Sequence, residues 1–253
     1  MKTSWKEDAV AEKFNTYNDI LEQILGFQFV FQTFISNPNI KTVLDYGCGP
    51  GKVAKRLAEG SNFNIIAVDE SQKMLDIAIK KRNHPRVAYH LIHNDCLSFL
   101  KDNSVDGVMI CYVFINTASK DRIQRIMLEI YRVLKPQSPL VILDTNPDST
   151  GIEFSTFQNG IPGEKYTYGE ARQEWLHIPD QEDLLLNDYH WPKSMYQDLL
   201  EKTGFNEIEQ MEPTLRNFSK EELTIIERQY EFNQWKNERD YPPFVIFRAI
   251  KPI

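Results

Sequence analysis

The run Asp45-Tyr46-Gly47-Cys48-Gly49-Pro50-Gly51 decides the fold of this chain. Three of its eleven glycines fall here, behind the apolar stretch Thr42–Tyr46 and ahead of the amphipathic stretch Lys52–Glu59. A strand that ends in glycines and opens directly into a helix makes a tight turn, and a ligand can then approach the backbone over the helix N-terminus. The spacing is GxGxG. A dinucleotide fingerprint, GxGxxG, would need a third glycine where Lys52 stands, and a P-loop would need a closing Gly-Lys-Ser/Thr.

Working outward from this turn, short apolar runs alternate with amphipathic ones. Strands are expected at Thr42–Tyr46, Asn64–Asp69, Arg86–Ile92, Val105–Tyr112 and Leu140–Asp144, and helices at Lys52–Glu59, Gln72–Lys81 and Arg122–Leu134. Such alternation predicts an α/β, doubly wound, mostly parallel sheet with helices on both faces. Upstream, Ile20, Ile24, Phe27, Phe31 and Phe34 recur at helical spacing and predict a helix ending before Asn37-Pro38. Downstream, residues 147–183 are rich in Gly, Pro, acids and aromatics without a period, which reads as a cap or long loop inserted after the fifth strand. A helix at Pro192–Thr203 closed by Gly204 follows. Strands at Phe205–Gln210 and Phe244–Ile250 would complete seven, with a helical insert around Glu221–Trp235. The expected layout is an N-terminal helical lid (1–40), a ligand-binding core (41–146), a substrate cap (147–191) and a C-terminal part of the core (192–253) with its insert at about 213–241.

Composition narrows the function. With 253 residues, 42% hydrophobic and 26% charged, the chain can build a sizeable core. Its 36 acids against 29 bases give a net charge of −7, which argues against nucleic acid or an anionic membrane as a main partner. The three cysteines, Cys48, Cys96 and Cys111, form no CxxC pair, so no disulfide framework and no metal site is expected. The start of the chain has no apolar run of signal type, and a cytoplasmic protein is expected.

Asp69 ends the second strand, eighteen residues beyond Gly51. A carboxylate there can accept both hydroxyl protons of a ribose, so glycine turn and acid together imply an adenosine-containing ligand. These residues, with the AVDES-xx-ML stretch, HNDCLSF and YRVLKPQSPLVILD, resemble the class I, Rossmann-like S-adenosylmethionine (SAM)-dependent methyltransferases over residues 41–146. The resemblance implies SAM as cofactor, with S-adenosylhomocysteine as product and no metal. It would place Asp45 and the backbone of Gly47 and Gly49 on the methionine part, Asp69 on the ribose and Met74 on the adenine. Asp95 would accept from the adenine amino group while the Cys96 backbone donates. It also puts Cys48, Glu70 and Cys111 beside the cofactor, and Tyr17 of the lid against its carboxylate. The chain departs from the family in Pro136-Gln137-Ser138-Pro139, where many members have Pro-Gly-Gly, and in the long insert before the last strand.

SAM carries an activated methyl, so the protein must mainly orient an acceptor and exclude water. Where the acceptor needs deprotonation, His177, His190 and Tyr189 are the candidates, because they sit among Glu174, Trp175, Asp188 and Trp191 in the cap, where aromatic faces interleaved with acids suit a planar or cationic acceptor. The expected partner is a small acceptor, aromatic or amine-bearing, methylated on N, O or C by a monomer or homodimer. The alternatives are a non-catalytic SAM-binding protein and an NAD-dependent oxidoreductase. Lys52, standing where a dinucleotide fingerprint has its third glycine, counts against the latter.

Overall fold

The computed structural model describes residues 8–253; residues 1–7 of the expected lid lie outside the described residues. The chain opens with α1 (Asp8–Thr16), then α2 (Ile20–Glu22), which passes through a π-helical segment (Gln23–Phe27) into α3 (Gln28–Ile35). The core alternates β1 (Thr42–Tyr46), α4 (Lys52–Glu59), β2 (Asn64–Asp69), α5 (Gln72–Arg82), β3 (Val87–Leu91), β4 (Gly107–Cys111), α6 (Lys120–Val133) and β5 (Pro139–Thr145). There follow β6 (Phe157–Asn159), β7 (Glu170–Leu176), β8 (Leu184–His190), α7 (Lys193–Thr203), β9 (Asn206–Met211), α8 (Lys220–Tyr230) and β10 (Phe244–Ile250).

Seven strands form one sheet in the order β3-β2-β1-β4-β5-β10-β9, parallel except for β10, which runs against both neighbours. Successive side chains on a strand face opposite ways, so Val43 enters the core beneath α3 and α4 while its neighbour Leu44 enters the one beneath α6 and α7. Both faces of the sheet are thereby dry, as the runs of apolar residues in its strands require. The chain winds outward from β1 to β3 and then returns to β4, so the order reverses between β1 and β4. A crevice opens at the carboxyl ends of the strands at such a reversal.

Two expectations change. Residues 147–183 are no irregular loop, since β6, β7 and β8 form a three-stranded antiparallel sheet of their own. Its inward face hides the strand pattern from a hydropathy reading because charged residues, Arg172, Glu174 and Asp188, are buried there beside Leu176, Leu184 and Leu186. The insert helix is also shorter than expected. It starts at a capping box of Ser219 and Glu222 and stops at Tyr230, after which Glu231 turns left-handed (φ +50°) and Trp235 folds back to donate to Glu227 Oε1 at 2.8 Å. The insert is fastened by the fully buried Glu238, whose carboxylate accepts from the backbone N–H groups of Ser155 and Lys236.

Candidate active site

The crevice holds a cavity of about 510 Å³, a size suited to small ligands. β1 delivers Asp45 to it with only 1% of its surface exposed. Burial, and after it the neighbouring Asp69, push the Asp45 carboxyl up to about 8. Its Oδ2 has no partner among the described residues. The turn beyond is pinned where the N–H groups of Gly47 and Cys48 both donate to Val68 O, at 2.8 and 2.9 Å. At Gly47 (φ +78°) an added Cβ would stand 2.4 Å from Val113 Cγ2. Gly49 (φ +51°) is different, because an added Cβ would meet nothing within 4 Å and its surface faces the cavity. Asp69 accepts from Gly49 N–H through Oδ2 and from Ser71 N–H through Oδ1, both at 2.8 Å. Each of those oxygens keeps a lone pair for a further donor.

These groups fit SAM. An unpartnered buried carboxylate oxygen suits an ammonium, and a glycine with open space above it suits close approach of a ligand to the backbone. The fit has a measurable consequence. In the empty site Asp45 keeps its proton below pH 8, whereas salt-bridging an ammonium requires the carboxylate. SAM binding near pH 7 is therefore expected to release protons, and affinity should strengthen as pH rises toward 8. Calorimetry in buffers of different ionisation enthalpy measures that release, which Asp45→Asn should remove.

The other cofactor residues divide. Tyr17, Cys48, Glu70, Met74 and Cys111 line the cavity. Asp95 and Cys96 do not. Asp95 is held by Arg122, whose Nε lies 2.9 Å and Nη2 2.7 Å from Oδ1, and the Cys96 N–H donates to His93 O at 3.1 Å. Arg122 comes from the first turn of α6, started by the Ser119 cap, and it also binds Glu70 at 2.9 Å. Arg122, not Asp95, presents a polar group to this part of the cavity wall.

At the opposite end the cavity is closed by the N-terminal segment and the second sheet. Lys52 Nζ donates to Tyr17 O at 2.7 Å, and the Arg56 guanidinium forms a two-pronged pair with Asp19, both contacts 2.7 Å. The position that rules out a dinucleotide fingerprint thus ties the N-terminal segment to α4. Gly26 lets the π-helical segment lie against β5, where an added Cβ would be 3.0 Å from Leu143 Cδ2. The walls here are Phe27, Tyr112, Phe157, Leu176 and Leu186, with two carboxylates among them, Glu22 and Glu174. Tyr112 has φ +58°, uncommon for a bulky residue, and its hydroxyl lacks a partner. Backbone strain of this kind persists where surrounding structure enforces it.

His177, His190 and Tyr189 do not reach this cavity. His177 lies just past the end of β7, where its Nδ1 is 3.1 Å from Asp183 Oδ2. His190 shares the inward face of β8 but lies beyond the Arg172–Asp188 pair, beside the Tyr166 ring, and burial lowers its pKa. Tyr189 points the other way from Asp188, and Trp191 is a packing residue whose indole N–H donates to Phe114 O and Thr117 O at 3.0 and 3.2 Å. Glu22 is a lining residue that sequence reasoning missed, and Glu174 was visible in the sequence only as one of the acids around the histidines. The available signal for Glu22 was an acid in the helical stretch ahead of Asn37-Pro38, set between the apolar pairs Ile20-Leu21 and Ile24-Leu25. Among the described residues no group of three or more His, Cys, Asp or Glu is placed to hold a metal ion, and no helix is long and apolar enough to cross a membrane.

Comparison with known proteins agrees with this geometry. A methyltransferase-domain family model matches residues 43–137. The N-demethylindolmycin N-methyltransferase of Streptomyces griseus is 35% identical over 213 residues, covering 82% of this chain and 90% of that protein. The ubiquinone/menaquinone biosynthesis C-methyltransferase of Rickettsia prowazekii is 26% identical over 221 residues, covering 79% and 82%. A crystal structure of an S-adenosylmethionine-dependent methyltransferase from Clostridium acetobutylicum superposes with a TM-score of 0.59 at 14% identity, covering 90% of this chain and 91% of that one. The chain belongs to the class I SAM-dependent methyltransferases. It is an enzyme that transfers a methyl group from SAM to a small-molecule acceptor.

Proposed function

We propose that the methyl acceptor is a nitrogen on a small molecule with an apolar, ring-sized body. The observation that carries this reading is the presence of two buried carboxylates without a cationic partner, Glu22 and Glu174, among the apolar and aromatic walls, where the third acid, Asp19, is paired with Arg56. An amine reaches the enzyme as an ammonium, which carboxylates and aromatic faces attract, and it must shed a proton before its lone pair can attack. A neutral phenol or quinol makes less use of such a pair. The 35% identical relative, named as an N-methyltransferase, supports the same reading.

When bound, SAM supplies a methyl already activated on a sulfonium sulfur. The protein's own work is positional. Asp45, the glycine turn and Asp69 hold the cofactor end, and the Lys52 and Arg56 ties keep the N-terminal segment closed against water. Residues 8–40 thus act as a lid, 41–146 as the cofactor core and 147–191 as the acceptor cap. The test is an assay of methyl transfer from SAM to matched aryl-alkyl amines, phenols and quinols, with products read by mass. Amines are expected to be methylated; turnover of the oxygen and carbon acceptors alone would overturn the reading.

A further inference from the structure

Glu22 ends α2, at the point where the helix widens into its π-helical segment. Such widenings recur at functional sites. The residue is 6% exposed, Oε1 accepts from the Tyr17 hydroxyl, and Oε2 has no partner although the residue lines the cavity. Glu174 enters from the cap and is held differently. Its Oε1 accepts from Asn159 Nδ2 at 3.2 Å, and the same amide donates to Asp188 Oδ2 at 2.8 Å, which Arg172 holds in turn. One carboxylate is fixed from behind; the other is steadied by a single hydroxyl and keeps one oxygen free.

Resting on the nitrogen reading above, we propose that Glu22 is the catalytic base and Glu174 the anchor of the acceptor, whose class is a primary or secondary ammonium on an apolar ring-bearing body. Such a cation offers at least two N–H groups, one for each carboxylate, where a tertiary ammonium offers one. The ammonium proton passes to Glu22 Oε2. The freed nitrogen lone pair forms the N–CH3 bond while the electrons of the breaking C–S bond return to sulfur, which leaves a methylated ammonium and a neutral thioether. The Glu22 proton leaves to solvent when product departs.

The groups that set the ionisation of Glu22 are Tyr17 and Asp19 on its own side, Lys52 of α4, Tyr112 after β4 and Glu174 of β7. Burial, and next Asp19, raise its carboxyl to about 8. Burial and the charge of Asp188 raise Glu174. Before the acceptor binds, Glu22 is therefore protonated near neutrality and must lose that proton before it can take one from the ammonium; Gln mimics the protonated form and still accepts from Tyr17.

The experiment compares wild type, Glu22→Gln and Glu174→Gln with tryptamine and phenethylamine as probes. Glu22→Gln is expected to lower kcat by about 10²–10⁴ with KM little changed. At saturating SAM and amine, where Asp45 and Glu174 are already engaged, its kcat should lose the acid limb that deprotonation of Glu22 gives the wild type. Glu174→Gln should raise KM by about ten- to a hundredfold. Unliganded stability supplies a readout independent of turnover. A carboxyl whose folded pKa is raised from 4.5 to about 8 contributes stability at low pH that is lost as pH rises through about 8. Wild type should therefore lose melting temperature over that window, and Glu22→Gln should lose less. If Glu22→Gln methylates the amines at nearly the wild-type rate with the acid limb intact, the base assignment is wrong and the nitrogen reading stands. If the wild type methylates phenols or quinols but neither amine, both fall.

Discussion

Gly49→Val is expected to abolish SAM binding while the protein stays folded. The added side chain meets no protein atom within 4 Å of its Cβ, so the fold offers it room. That room is on the cavity wall between Asp45 and Asp69, where a ligand bound by both acids has to pass. The backbone cost is separate and smaller. A branched residue held at φ +51° costs about 1–2 kcal/mol, which lowers stability without erasing it. Gly49→Ala isolates that cost, because it carries the strain with much less bulk. Calorimetric titration with SAM, beside near-ultraviolet circular dichroism, should show affinity reduced by at least about a hundredfold in the valine variant with the folded signal retained. Gly47→Val is expected to behave oppositely and damage the fold first, since its Cβ would stand 2.4 Å from Val113 Cγ2. Normal SAM affinity in folded Gly49→Val would move the cofactor elsewhere.

The difference between these two glycines is not written in the GxGxG spacing, and it illustrates how far the sequence can be read. The inner strands β1, β4 and β5 are legible because each buries both faces, which leaves short apolar runs that nothing else explains. The glycine-turn end of the cavity is legible because its parts are close in sequence to strand ends: Asp45 precedes the turn that begins at Gly47, and Asp69 ends the next strand. Legibility fails where partners come from distant segments. Asp95 looks free to take an adenine amino group until α6 brings Arg122 across to it, and a reading of HNDCLSF has no means of seeing that arginine. It fails again in the cap. There the inward face of β7 and β8 carries Arg172, Glu174 and Asp188, which reverses the usual alternation of apolar in and polar out. The same reversal that conceals the strands brings the Glu174 carboxylate to the cavity wall. The histidines were conspicuous through their Trp and acidic neighbours in sequence, yet strand geometry sends them to the rim.

That buried charge makes Arg172→Met the most damaging change expected outside the cofactor end. Arg172 Nε contacts both Asp188 oxygens at 2.9 and 3.2 Å, its Nη2 donates to Thr145 Oγ1 at 2.9 Å, and its Nη1 donates to Thr150 Oγ1 at 2.6 Å. One side chain therefore neutralises the fully buried Asp188 and ties the cap sheet to the end of β5. Removing one member of a buried ion pair costs about 3–5 kcal/mol, because the partner charge is left without compensation. Against a typical total of about 5–15 kcal/mol, that is enough to loosen the cap and with it the acceptor chamber. The pH dependence follows from the sign. Without Arg172, Asp188 relieves its burial by taking a proton, so its pKa rises further. A carboxyl with a raised folded pKa favours the folded state at low pH and loses that contribution as pH rises. The deficit of Arg172→Met should thus be greatest above neutrality and shrink toward pH 5, as denaturant titrations at several pH values would show. Arg172→Met combined with Asp188→Leu should recover much of the loss, since apolar replacement of a complete buried pair is often neutral. If the double variant is no more stable than the single one, the arginine matters for its ties to Thr145 and Thr150 and not for the charge it balances.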